Sequence, residues 1–419
     1  MEEQLKIDFD KVIKNLKPSK KDFELREKNL NEFIKNGFPN KRIEDWKFSD
    51  LNLIISSNIK ELKFFNNKTK PDKFDQSILI NNFDHNKIIF VNGLISKIDF
   101  NYEEKSKIEI TDTHETEDLN PKNSLVSLNN ALKFHYVKLA IKENYSLNKP
   151  LIIYNITNNK LNSNTINQRI DFVLKKNSSL KVINLFDDSS NNNFININYQ
   201  FKIERNAILK NYIIDHKLNS NIKYFFNNIE LEHNSVAETF IFSTGSKFIK
   251  NEINCNLNDQ YSSAFINGII NLKNDQHHEI KTNINHLAEN TKSYQLIKSV
   301  LNDNSKGVYQ GKIFVDSRAQ KTDGYQLSKA LLLNENTEFD AKPELEIYAD
   351  DVKCSHGSTS GNLDEEAIFY LMSRGLNYQQ SRKLLINGFL LDVVEKITDL
   401  EIKDLIKNIM EIKEWIYQI

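Results

Sequence analysis

Three regimes of hydrophobic spacing follow one another along the chain. Near the amino terminus Phe23, Leu25, Leu30, Phe33 and Ile34 recur at roughly helical spacing between charged residues, and the pattern stops at Asn36-Gly37-Phe38-Pro39. This predicts a leading helical unit. A strand is expected at Lys87–Val91, closed by Asn92-Gly93, a pair that tolerates positive φ. A helix is predicted over 125–141, carrying Leu128, Ala131, Leu132 and Tyr136, and from about Lys149 the period changes to two. Ile195, Ile197, Tyr199, Phe201 and Ile203 alternate with Asn196, Asn198, Gln200 and Lys202, so one face of a strand meets a core and the other does not. Similar alternations recur at Ile229–His233, Ile253–Leu257, Ile269–Leu272, Ile280–Ile284 and Val308–Val315, with no helical pattern between them. The series suits an antiparallel sandwich or a β-solenoid. Its length favours the solenoid, because stacked coils extend a core without widening it.

The last regime is helical. Asn362 with Glu365, Asn377 with Gln380 and Thr398 with Glu401 read as three capping boxes, with Gly375 as a helix stop. Ile402, Leu405, Ile406, Ile409 and Ile416 form an apolar stripe, so the final helix is amphipathic; its charged residues Lys403, Lys407, Glu411 and Glu414 read as a solvated face.

Composition narrows the functional classes. The chain has 419 residues, 39% hydrophobic and 27% charged, with a formal net charge of -1, so it lacks the basic excess of a nucleic-acid or anionic-membrane binder. The start, Met1-Glu2-Glu3-Gln4-Leu5-Lys6, has no apolar run of a secretory signal, and no stretch reads as a membrane span; a cytoplasmic location is expected. Lys, Asn and Ile are used heavily throughout, so Asn-rich Ser189–Asn193 is weak evidence for disorder. The two cysteines, Cys255 and Cys354, form neither a disulfide framework nor a C-x-x-C pair.

Chemistry concentrates in Pro343–Gly357. If this segment is extended, Val352, Cys354 and His356 share one face, so a thiol and an imidazole stand side by side as potential metal ligands. The bland alternative makes Cys354 a small core residue, and that reading fits Cys255, between Ile253 and Leu257, better. His277 and His278 would face opposite ways in a strand; His233 and His286 continue apolar alternations and read as satisfied internal or edge groups. Trp46 can simply pack the first helical unit. There is no G-x-x-x-x-G-K-[ST] loop, so no nucleotide is expected on this chain.

Several segments in order resemble the SufB/SufD family of iron-sulfur cluster assembly proteins: Gln326, Leu331-Leu332-Leu333, Lys342–Ile347, Asp351–Thr359 and Gly361–Gly375. Gly37-Phe38-Pro39, Arg42, Glu44, Asp45, Trp46 and Lys47 extend the likeness to the leading unit, and the length is nearer the SufD branch. The resemblance implies a mainly β fold, a right-handed parallel β-helix flanked by helical ends. It gives an amino-terminal helical region at 1–85, a β-helix core at 86–357 and a carboxyl-terminal helical domain at 358–419. It further implies a non-catalytic scaffold that pairs with a SufB-like subunit through the β-helix and receives a SufC-like ABC ATPase on the last helices. A transient iron or nascent Fe-S cluster would be shared with the partner, with His356 as imidazole ligand across the interface and Cys354 as thiolate ligand. Two cysteines far apart in sequence do not readily supply the usual four-ligand set, which agrees with a shared site.

The rival reading is a β-helix carbohydrate-active enzyme. It needs paired carboxylates in neighbouring coils, for which Asp316 and Asp323 are available. A Cys/His hydrolase would need a third orienting group, and none is evident.

Overall fold

A computed structural model describes residues 2–66, 68, 70–115, 123–190 and 192–411; Asn191, Glu414 and Ile416 lie outside them. The chain opens with α1 (Glu2–Leu16), α2 (Lys20–Asn36) and α3 (Leu51–Asn58). Ser19 caps α2 by accepting the Asp22 N–H at 3.2 Å, and Gly37, at φ 67°, ends it with its N–H on the Phe33 carbonyl. The sequence places this stop correctly, while α1 escapes it.

Strands begin with β1 (Asn86–Val91) and β2 (Leu94–Asp99), an antiparallel hairpin turned by Asn92 and Gly93 at φ 52° and 82°. β3 (Ile108–Thr113) and α4 (Ser124–Leu132) follow. Next come β4 (Tyr136–Ile141), β5 (Leu151–Thr157), β6 (Thr165–Leu174), β7 (Ser179–Asp188), β8 (Phe194–Ile203) and β9 (Ile208–Asp215). The middle of the series is β10 (Ile222–Leu231), β11 (Val236–Ser243), β12 (Phe248–Leu257), β13 (Ser263–Leu272), β14 (His277–His286) and β15 (Lys292–Leu301). The last four are β16 (Lys306–Val315), β17 (Asp323–Leu332), β18 (Glu338–Ile347) and β19 (Lys353–Gly361), before α5 (Glu365–Ser373), α6 (Tyr378–Val394) and α7 (Leu400–Ile409).

Even-numbered strands from β4 to β18 stack parallel in one sheet and odd-numbered strands from β5 to β19 in the other, so the chain winds through eight coils of a parallel β-solenoid. The sandwich alternative is excluded by this parallel order. Inward side chains of both sheets, among them Ile197, Ile253, Cys255, Ile280 and Ile297, form one elongated core. Outer faces are covered unequally. The leading helices and α4 pack on Phe194, Tyr224 and Phe248 of the even sheet. α6 and α7 lay Leu390, Val393, Val394, Ile402 and Ile406 on Tyr154, Tyr212, Phe240 and Leu296 of the odd sheet. No helix among the described residues is long and apolar enough to cross a membrane.

Two local expectations fail for stated reasons. The helix predicted over 125–141 ends at Leu132, and Tyr136–Ile141 forms β4, because Val137, Leu139 and Ile141 alternate into the solenoid core while Tyr136 is buried on the outer face against Arg169 and Asp171. Among the predicted caps only Asn377–Gln380 is a complete box. Asp364, not Asn362, caps α5, its carboxylate accepting the N–H of Glu366 and Ala367. α7 starts after Asp399 without a side-chain cap, while the Thr398 hydroxyl accepts from Lys210.

The two ends of the solenoid differ. β2 and β3 close the first end by antiparallel pairing with β1 and β4, whereas β18 and β19 have no further strand beyond them among the described residues. β19 is exposed except for half-buried Cys354 and Gly357.

Candidate functional site

The open end carries the Cys/His pair. β19 pairs in register with β17, placing Cys354 beside Gly324, His356 beside Gln326 and Ser358 beside Ser328. Those three β17 residues are buried and alternate with half-exposed neighbours, so Cys354, His356 and Ser358 share the row that faces into the last coil. The Ser328 hydroxyl donates to Ser358 Oγ at 2.9 Å. The extended geometry expected for Cys354 and His356 is therefore present.

The thiol is half-buried against Ile313, Val315, Ala319 and Ala349, with Val352 beside it. A Cβ at position 324 would sit 3.3 Å from Cys354 Sγ, so glycine leaves room for the sulfur. Burial pushes the Cys354 thiol above its ordinary pKa, and a metal or cation is what would favour the thiolate there. His356 is exposed, and among the described residues its ring has no hydrogen-bond partner. No hydrogen bond from the described residues fixes its orientation.

A buried network supports this rim. Gln326 Nε2 donates to the Glu344 carbonyl at 3.3 Å, and the Tyr309 hydroxyl lies 3.3 Å from Gln326 Oε1 and 3.2 Å from Gln295 Oε1. A Cβ at position 311 would lie 2.6 Å from Tyr309 Cζ and would also run into Gln326 Oε1, so glycine there lets both side chains keep their places. Sequence reasoning singled out Gln326 but missed Gln295, Tyr309 and Gly311; only the short spacing of Tyr309 and Gly311 hints at them.

Other candidates separate from the site. Cys255 is 1% exposed on β12, several coils away, with Ile229 and Ile284 as strand neighbours. His278 points inward, 2.8 Å from Ser243 Oγ and 2.7 Å from the Ser246 carbonyl, while His277 lies beside Glu279 on the outer face. His286 is held between Thr291 and Ser293, and His233 sits in a turn 3.7 Å from Asp259. Among the described residues no three His, Cys, Asp or Glu side chains are grouped to hold a metal ion. Cys354 and His356 thus stand as a pair, with no third His, Cys, Asp or Glu grouped with them among the described residues. The carboxylates considered for an enzyme are not paired: Asp316 binds Arg318 at 3.0 Å, and Asp323 stands between Lys292 and Lys353 in the sheet.

The carboxyl-terminal helices present two surfaces. The α7 stripe faces the sheet, with Lys403 and Lys407 bonded to Glu395 at 3.0 and 2.9 Å. α5 and the start of α6 instead expose Phe369 (75%), Tyr370 (56%), Met372 and Tyr378 beside the open end, a concentration unusual for surface left in water. Arg374 lies over the Tyr370 ring, 5.4 Å from its centre.

Residues 155–389, more than half of the chain, match the family described as SUF system FeS cluster assembly, SufBD core domain. The iron-sulfur cluster assembly protein SufD of Escherichia coli (strain K12) is 27% identical over 381 residues, covering 89% of this chain and 88% of that protein. An iron-sulfur cluster assembly SufBD family protein of Synechocystis is 46% identical over 67 residues, 16% of this chain and 15% of its own. SufD of Bacillus subtilis is 36% identical over 83 residues, 20% of this chain and 19% of its own. With a parallel solenoid running through the matched region, the chain belongs to the SufBD family of iron-sulfur cluster assembly proteins.

Proposed function

We propose that this chain is a SufD-like scaffold subunit whose open solenoid end docks a SufB-like partner and whose α5–α6 surface receives a SufC-like ATPase. The observation that carries this reading is the asymmetry of the solenoid: the first end is closed by antiparallel strands, while β18 and β19 leave two free edges beside Cys354 and His356. Free edges of this kind are templates for strand addition by another chain. A partner adding strands there would bring its own ligands to the pair, completing a site for iron or a nascent cluster, which is cargo and not a resident cofactor. His356 would supply a neutral imidazole and Cys354 a thiolate, and loss of a proton from Cys354 accompanies metal capture. The exposed aromatic residues of α5 and α6 suit a partner helix or groove, and the ATP-dependent work belongs to that partner.

The test is co-expression of the tagged full chain with a SufB-like and a SufC-like protein. Capture of both is expected, and the double variant Cys354→Ala/His356→Ala is expected to keep both partners yet lower cluster assembly by the complex. Recovery of the chain alone would overturn the scaffold reading; full cluster assembly by the double variant would overturn the site.

A further inference from the structure

The segment Glu44–Trp46, a single 3-10 turn between α2 and α3, crosses the outer face of the even sheet and touches five successive strands. Trp46, 3% exposed, packs against Tyr224 of β10 with ring centres 5.7 Å apart. Lys250 of β12 lies 4.4 Å from the centre of the Trp46 ring and donates to the Asp45 carbonyl at 2.6 Å. Lys281 of β14 meets the Asp45 carboxylate at 2.7 Å. Gln310 of β16 donates to the Glu44 carbonyl at 3.4 Å, and Lys342 of β18 is ion-paired with the Glu44 carboxylate. β18 is the last strand of its sheet, so the final contact falls on a free edge.

We infer that Glu44-Asp45-Trp46 is a strap that holds the free edge strand β18 in register with the coils behind it, making Glu44 a positioning residue for partner docking. A parallel solenoid gains stability from nearest-neighbour stacking, and a terminal strand has only one neighbour. The strap gives β18 a second attachment, anchored four strands away by a buried tryptophan. It tethers the edge from the outer face and leaves the main-chain groups of that edge free for an incoming strand. The docking role rests on the function proposed above; the strap itself does not.

Hydrogen exchange of the full chain separates the two. The double variant Glu44→Gln/Asp45→Asn removes both carboxylates and leaves the Trp46 anchor. It is expected to exchange several-fold faster at the β18 amides bonded to β16, with β8 and β10 unchanged and the thermal midpoint within a degree or two of wild type. Exchanging the charges, Glu44→Lys with Lys342→Glu, is expected to restore slow exchange at β18, which a merely disturbed fold would not do. Unchanged β18 exchange in the double variant, or faster exchange spread evenly over the solenoid, would overturn the strap. Faster β18 exchange with unaltered capture of a SufB-like partner would retain the strap and overturn its part in docking. Should the wild-type chain capture no such partner, the proposed function fails while the exchange result still decides the strap.

Discussion

His278 and His286 are neutral groups enclosed by the solenoid, and their chemistry makes the fold sensitive to mild acid. Burial lowers both from the usual 6.5 to about 4, and each ring spends its nitrogens on neighbours, Ser243 and Ser246 for His278, Thr291 and Ser293 for His286. Asp215 opposes the shift at His278, and Lys223 and His277 add to it. Between those two pKa values the unfolded chain binds more protons than the folded one, so stability rises with pH through this window and falls as pH drops from about 6.5 towards 4. A one-unit shift corresponds to ~1.4 kcal/mol, so the two together are worth several kcal/mol when the window has been crossed. The urea midpoint is expected to be lower at pH 5 than at pH 7, and His286→Gln should flatten that difference; equal midpoints for the wild type would contradict the argument. Residues such as Cys354, His356 and His278 were legible because alternation along one strand settles which side they face. The Gln295–Tyr309–Gln326 network was not, since its members come from three strands in two sheets and meet only after coiling.

At the scale of elements, the turns between coils are held by asparagine. Asn144, Asn177, Asn206 and Asn234 all take positive φ, between 53° and 57°, where asparagine is tolerated and β-branched residues are not. Their amides also form a ladder, with Asn177 donating to Asn144 at 2.7 Å, Asn206 to Asn177 at 2.9 Å and Asn234 to Asn206 at 2.8 Å. Asn206→Val is expected to lose about 2–4 kcal/mol, combining backbone strain of ~1–2 kcal/mol with the broken ladder; Asn206→Gly should lose only the ladder bonds, about 1 kcal/mol each. Urea unfolding at unchanged m-value measures both, and equal losses would mean that φ is not the constraint. This explains why strand positions were readable and coil boundaries were not. Alternation marks a strand, but Asn at a turn is indistinguishable by composition from the many other Asn residues in the chain. The helix at 125–141 failed similarly: Leu128, Leu132 and Tyr136 fit helical spacing, while packing assigned Tyr136 to a strand.

For the whole molecule, the carboxyl-terminal region has two apolar surfaces, one packed on the sheet and one exposed, that its sequence pattern does not separate. The apolar stripe of α7, readable as amphipathic, is used up inside the chain: with α6 it covers the odd sheet, joined there by Lys298, which donates to the Phe389 carbonyl and meets Asp392, both at 2.6 Å. Removing residues from 362 onward would therefore strip a cover from the solenoid as well as any docking surface, so a truncation cannot distinguish folding from binding. Point charges can. Val394 is fully buried between α6 and the sheet, and Val394→Asp places an unpaired carboxylate there, an expected loss of more than ~3 kcal/mol. Phe369 on α5 is 75% exposed, and Phe369→Asp should alter stability by no more than about 0.5 kcal/mol. If α5 is the ATPase surface, the second variant, folded and stable, loses capture of the SufC-like protein while keeping the SufB-like one. A stable Phe369→Asp chain that captures both would move ATPase docking away from α5, and a strongly destabilised one would mean that this helix, like α7, serves the fold.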